Sequence, residues 1–237
     1  MRSLSQFGLW AGGGKLSLME VRIASNAGEA ATLAAAQIAH WLRAAARDRG
    51  VATMALSGGR TPIAMVQLLA DLDVPWTDVR VYQVDERAAP DGDDARNAAL
   101  LEVLGEVGAV VHPMPVTASD RPAAAREYAA SLPAQFDVVH LGIGDDGHTA
   151  SWPPGDPVAD LEQPVAWTGR FNGYDRMTLT PGPVNDARHR LVLVTEGNKA
   201  AVVARWLDGD RDLPITRVHR SDTVLIATGD VVPDAAG

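Results

Sequence analysis

The chain reads as an α/β protein: a doubly wound, mostly parallel sheet with helices on both faces, Rossmann-like in architecture. Two observations predict this. Short apolar strands alternate with helical segments from about residue 19 onward, the pattern of a sheet covered on both sides. Three of those strands also run directly into polar loops, at Ser57, Asp85 and Gly142. In an open α/β sheet such loops gather beyond the carboxyl ends of the strands, where ligands bind.

From Glu20 a β-branched run, VRIAS, leads into an Ala-rich segment, Glu29 to Arg47. There Leu33, Ile38, Ala39 and Leu42 recur at helical spacing, and Gly50 closes it. Val51 to Leu56 is a strand bounded by glycines, and Thr61-Pro62 opens a second helix, with Thr61 as its cap and proline at the first helical position. Val79 to Val84 is a third strand, ending in the charged loop Asp85-Glu86-Arg87; a polar stretch and a helix from Ala98 to Leu104 follow. Val110 to His112 reads as a brief strand, Arg121 to Leu132 as a helix, and Asp137 to Gly142 as a buried strand. Arg176 to Leu179, Arg190 to Val194 and Thr223 to Ala227 complete the strands, with a helix over Lys199 to Leu207. Residues 1–18, with the run Gly12-Gly13-Gly14, read as a disordered extension, and 19–237 as one domain without repeat or linker.

The 237 residues are 46% hydrophobic and 22% charged, with a mean hydropathy of -0.04, values of an ordinary globular protein. The chain has no cysteine. Disulfides, thiolate metal sites and a cysteine nucleophile are thereby excluded, and a cytoplasmic location is expected. No run approaches the roughly 18 apolar residues of a membrane span. The formal charge of -9 argues against nucleic acid or anionic membrane as partner, so an anionic ligand must be held by a local cluster of donors.

The first loop, LSGGRTP, offers such a cluster. Gly58 and Gly59 permit close backbone approach, the following helix presents free N–H groups, and the Ser57 and Thr61 hydroxyls add donors, with Arg60 between them. It lacks the lysine of a Walker loop and the third glycine of a dinucleotide fingerprint, which leaves a phosphomonoester or simply a tight turn before a helix. In the second loop Asp85 or Glu86 suits a base or an orienting group and Arg87 an oxyanion; the plain alternative is a solvated charge run or an internal Asp-Arg pair. The third loop, GIGDDGHTASWPPG, sets His148 among Gly142, Gly144 and Gly147. Histidine suits proton abstraction near neutral pH, and Asp145 or Asp146 suits orienting its ring. A histidine satisfied by backbone groups is the competing reading. The spacing of Asp145, Asp146 and His148 matches no standard metal-ligand set, so no metal is expected. His40, His112, His140, His189 and His219 show no convergent partners and receive no role.

Taken in order, SGGRTP, DER and LGIGDDGHTASWPPG resemble the loops of the 6-phosphogluconolactonases, relatives of the glucosamine-6-phosphate deaminases and ribose-5-phosphate isomerases. The resemblance runs from about Met19 to the end and continues in RMTLTPGPVNDARHRLVLVTEGNKAAVV. The deaminases carry an acidic residue five positions after the histidine, where this chain has Pro153, and an aromatic residue after Asp-Glu, where it has Arg87. The chain departs from the lactonase pattern where a Leu-Phe pair commonly precedes the proline: here Trp152 precedes Pro153-Pro154, a change expected to reshape the pocket mouth.

The resemblance implies hydrolysis of 6-phospho-D-glucono-1,5-lactone to 6-phosphogluconate in the oxidative pentose phosphate pathway, with no cofactor. His148 is the expected base, Asp146 its orienter and Arg87 an oxyanion donor. The phosphate is expected on Ser57, Gly58, Gly59, Arg60 and Thr61, with Arg176 and Lys199 closing over it, and Asp85, Gly144 and Gly147 complete the expected site. Taken alone, Arg176 and Lys199 read equally as surface charges. The expected partner is a small phosphosugar lactone bound by a monomer or weak homodimer. The rival readings are an aminosugar-phosphate deaminase and a non-catalytic phosphosugar sensor.

Overall fold

A computed structural model describes residues 7–10 and 19–232. The eleven strands there are β1 (Phe7–Trp10), β2 (Met19–Ala24), β3 (Ala52–Leu56), β4 (Val79–Gln83), β5 (Asp85–Arg87), β6 (Val110–His112), β7 (Val138–Leu141), β8 (Val165–Phe171), β9 (Tyr174–Leu179), β10 (His189–Val194) and β11 (Thr223–Thr228). The helices are α1 (Ala27–Arg49), α2 (Thr61–Ala70), α3 (Ala98–Glu106), α4 (Arg121–Ser131), α5 (Pro181–Asp186) and α6 (Ala200–Leu207).

The main sheet has the order β1-β2-β11-β10-β7-β3-β4-β6. All its neighbours pair parallel except β1, which runs antiparallel to β2. Phe7–Trp10 is therefore a strand where an extension was expected; the remainder of 1–18 lies outside the described residues. The central strands are buried along their whole length, and a hydrophobic cluster packs on each face. On one face lies α1, which begins where the Asn26 side chain accepts the N–H of Glu29 and ends at Gly50, whose φ of +73° suits glycine. Its buried face includes Ala30, Ala34, Ala35 and Ala39, side chains short enough to let the helix lie close on the sheet.

A second sheet was not anticipated. Asp85–Arg87, expected as a loop, is strand β5, and with Tyr174–Leu179 and Val165–Phe171 it forms a three-stranded antiparallel sheet of order β5-β9-β8. Asp85 and Glu86 are buried in this strand, and Arg87 half-buried, because their partners are supplied internally. β8 and β9 are joined through Asn172-Gly173, both at positive φ (49° and 89°), a two-residue hairpin turn. The parallel strands β3, β4 and β7 point their carboxyl ends toward one rim, and the small sheet adds a wall to it.

Candidate active site

At that rim lies a cleft of about 320 Å³ whose lining brings together Ser57, Gly58, Gly59, Arg60, Thr61, Asp85, Arg87, Gly144, His148, Arg176 and Lys199. Asp146 and Gly147 are not part of the lining and act from behind it.

His148 Nδ1 lies 2.5 Å from Asp146 Oδ1, which also accepts the His148 backbone N–H at 3.1 Å. Burial alone raises the Asp146 pKa, but the hydrogen bonds from His148 outweigh it and hold the carboxyl below its ordinary value. A charged Asp146 keeps the ring proton on Nδ1 and leaves Nε2 with its lone pair. Two contacts fix the ring. Phe171, at the end of β8, meets it edge-on with centroids 4.9 Å apart. Gly144 lies beneath: a Cβ there would come within 2.0 Å of the imidazole, so this position admits no side chain. Gly147, at φ +84°, turns the chain, and its carbonyl accepts from Ile215 N–H at 3.1 Å. Asp145 takes a different partner, the Asn198 amide at 3.1 Å.

The DER triplet divides its labour. Asp85 is buried and accepts from the Ser151 hydroxyl at 2.6 Å, with Arg176 Nη1 3.7 Å away. Burial raises its pKa, and Ser151 and Arg176 offset only part of that. Glu86, fully buried, accepts from Gln83 Nε2, from the N–H groups of Arg87, Asn97 and Ala98, and pairs with Arg96 at 3.1 Å. It is thus the organising carboxylate of the 86–98 segment and the start of α3, and has no place in the cleft. Arg87 stands opposite Arg176 in the β5–β9 register, so two guanidiniums share one face toward the cleft. Like charges in that arrangement repel. Burial and the charge of Arg87 lower the Arg176 pKa, and Asp85 opposes them. Arg176 is nearly buried, and its guanidinium lies 5.1 Å from the Phe171 ring centroid, so it is no surface charge.

Arg87 Nη1 donates to Ala95 O at 2.6 Å and to Asn97 Oδ1 at 2.8 Å. Asn97, not singled out from the sequence, lines the cleft, donates to Asp85 O at 3.0 Å and packs on the first loop. A Cβ on Gly58 would lie 1.8 Å from its Oδ1. Gly58 is required by this contact between loops, whatever the ligand. The only signal for Asn97 was its place just before a helix, and that signal suggests a cap; its side chain makes no capping bond, and Glu86 takes the N–H groups instead.

α2 also begins differently from expectation. Arg60, not Thr61, occupies the cap position, without a side-chain cap bond, and the Thr61 hydroxyl turns away to donate to Glu196 Oε1 at 2.8 Å. Glu196 in turn pairs with Lys199 at 3.3 Å. The hydrogen bond from Thr61 and the charge of Lys199 lower the Glu196 pKa despite burial. Among the described residues, Ser57 Oγ is buried without a hydrogen-bond partner. So are both ring nitrogens of His140, a residue given no role from sequence, which lines the cleft from the end of β7. Burial lowers its pKa to about 4, so the ring is neutral. Trp152 does not reshape the mouth as expected: it is fully buried in the core, and its indole donates to Leu179 O at 2.7 Å.

The cleft thus brings together a histidine with an oriented ring, two arginines and a glycine-bearing loop at a helix start. Residues 25–227 match the family model described as glucosamine-6-phosphate isomerases/6-phosphogluconolactonase. A 6-phosphogluconolactonase of Pseudomonas aeruginosa is 30% identical over 225 residues, 86% of this chain and 93% of that protein. One from Synechocystis is 36% identical over 168 residues, 64% of this chain and 70% of that protein. The crystal structure of a 6-phosphogluconolactonase from Shewanella baltica superposes with a TM-score of 0.79 at 28% identity, covering 88% of this chain and 96% of that one. Sequence, fold and the ordered loops thus converge, and the chain belongs to the glucosamine-6-phosphate isomerase/6-phosphogluconolactonase family.

Proposed function

We propose that the protein hydrolyses 6-phospho-D-glucono-1,5-lactone to 6-phospho-D-gluconate. The observation that carries this reading is the 2.5 Å Asp146–His148 contact beside the cleft. His148 Nε2 takes a proton from water as the oxygen attacks C1 of the lactone. The tetrahedral oxyanion forms near Arg87 and the N–H groups of the glycine-bearing loops. Its collapse breaks the C1–O5 bond, the imidazolium returns the proton to O5, and the free acid ionises. A base of this kind contributes about 10²- to 10⁴-fold, enough for an already reactive lactone.

The phosphate sits on the loop from Ser57 to Thr61 at the start of α2, where free N–H groups and the helix dipole favour an anion. Lys199 closes over it, and Arg176, opposite Arg87, adds a second cation toward the substrate. The hydrolase reading is favoured over the deaminase one by Pro153 and Arg87, which stand where deaminases carry an acidic and an aromatic residue. The reading includes a cytoplasmic monomer or weak homodimer acting in the oxidative pentose phosphate pathway. No helix among the described residues is long and apolar enough to cross a membrane.

The deciding experiment follows acid release from the phosphorylated lactone, with the spontaneous rate subtracted, beside a glucosamine-6-phosphate deaminase assay. Lactone turnover that is lost in His148→Ala, with no ammonia released from the aminosugar, is the expected result. Equal hydrolysis by His148→Ala and the parent protein excludes the assigned base.

A further inference from the structure

Glu196 stands at the end of the cleft assigned above to a phosphate, and its position is at odds with that assignment. A carboxylate beside an anion site repels the ligand. Yet Glu196 contacts two side chains suited to hold a phosphate. Thr61, at the start of α2, donates its hydroxyl to Oε1 at 2.8 Å, and Lys199, after β10, lies 3.3 Å from Oε2. The two are 138 residues apart in sequence, 199 less 61, and Glu196 joins them across the cleft.

We propose that Glu196 acts as an internal stand-in for the phosphate: its carboxylate occupies the Thr61 hydroxyl and the Lys199 ammonium, and a phosphate monoester binds by displacing it. Two features of the contact fit displacement. Oε2 makes only an ion pair with Lys199, with no aligned hydrogen bond, and is otherwise unpartnered among the described residues. The Glu196 side chain also remains one-third exposed, so it has a path into solvent. A phosphate dianion brings more charge and more acceptor oxygens than a carboxylate, and it gains the N–H groups of the Ser57–Thr61 loop that Glu196 is not bonded to. A neutral sugar has no group that competes. Glu196 thereby keeps the donors paired while the site is empty, weakens the grip on every phosphorylated ligand, and re-forms its contacts as a phosphorylated product leaves.

This inference rests on the phosphate assignment, and its test separates the two. Calorimetric titration with inorganic phosphate and with 6-phosphogluconate compares the parent protein with Glu196→Gln, which retains an acceptor for Thr61 but removes the charge, and with Glu196→Ala. Both variants are expected to bind both ligands about tenfold more tightly, and KM for the phosphorylated lactone falls in parallel while that for the unphosphorylated lactone does not. Adding Lys199→Ala to Glu196→Gln abolishes the gain. Unchanged or weaker phosphate binding in both folded variants, checked by thermal melting, overturns the proposal. So does an equal KM change for both lactones. If phosphate binding tightens but no lactone is hydrolysed by any form, the stand-in role holds and the lactonase reading fails.

Discussion

Asp146 Oδ1 holds two hydrogens of the same residue, the ring Nδ1–H of His148 at 2.5 Å and its backbone N–H at 3.1 Å. Orientation and tautomer of the imidazole are thus set by one oxygen two residues away. Removing the charge in Asp146→Asn leaves an amide that accepts more weakly and frees the ring to place its proton on Nε2, where it blocks water activation. The expected loss in kcat is about 10²- to 10⁴-fold, of the order seen when an orienting carboxylate is neutralised. Asp146→Asn combined with His148→Ala is expected to be no slower than His148→Ala alone, because the carboxylate acts only through the ring. Steady-state kinetics of the three variants decides it, and a double variant much slower than His148→Ala refutes a purely orienting Asp146.

Gly58 is a site where activity is expected to fail through a neighbour. The 1.8 Å approach of an added Cβ to Asn97 Oδ1 forces Asn97 to move, and Arg87 then loses one of its two acceptors. Gly58→Ala is expected to lower kcat by at least about tenfold, since small misplacements of a charge-stabilising group carry such losses. If Asn97 is the intermediary, the combination Gly58→Ala with Asn97→Ala is no slower than Asn97→Ala alone. A further drop in the double variant assigns the effect to the loop backbone instead.

Glu86 predicts a stability effect. Both its oxygens accept from N–H donors, and its buried partner Arg96 is 3.1 Å away. In Glu86→Gln either amide orientation sets an NH2 group against backbone N–H groups and leaves the Arg96 guanidinium with only the exposed Asp91 as its ion-pair partner. The expected cost is about 3–5 kcal/mol, the usual penalty for breaking a buried pair from one side. Urea denaturation measures it, and a loss below about 1 kcal/mol contradicts the organising role.

The legible parts of the fold were those where one local signal decides. Continuous apolar runs announced the parallel strands, and the order of strand and loop announced which rim carries the site. The small antiparallel sheet escaped because Asp85–Arg87 looks like a solvated triplet unless its buried partners, scattered over residues 83–98 and 151–176, are known. Its hairpin did leave a signal, Asn172-Gly173 between VAWTGRF and YDRMTL, the dipeptide that favours a two-residue turn with both φ positive. In the site, His148 was legible because a histidine in a glycine-rich loop has few structural uses. Asn97, Glu196 and Phe171 were not, because each makes its contact with a segment distant in sequence.

His140 provides the last test, in which structure and ionisation are read together. Its ring is buried with neither nitrogen hydrogen-bonded among the described residues, and burial depresses its pKa from 6.5 to about 4. An unpaired buried polar group costs about 1–3 kcal/mol, so His140→Leu, of similar bulk, is expected to stabilise the fold at neutral pH. The pH dependence has a definite sign. Between pH 6.5 and about 4 the unfolded chain binds a proton at this position and the folded chain does not, so stability is fully present above 6.5 and is lost as pH falls toward 4. Replacing the imidazole removes that contribution, and the stability of His140→Leu declines less steeply across this window than that of the parent protein. Urea midpoints measured from pH 4.5 to 7.5 compare the two slopes. Parallel curves, or a leucine variant less stable at pH 7, mean that the imidazole has a hydrogen-bond partner in solution.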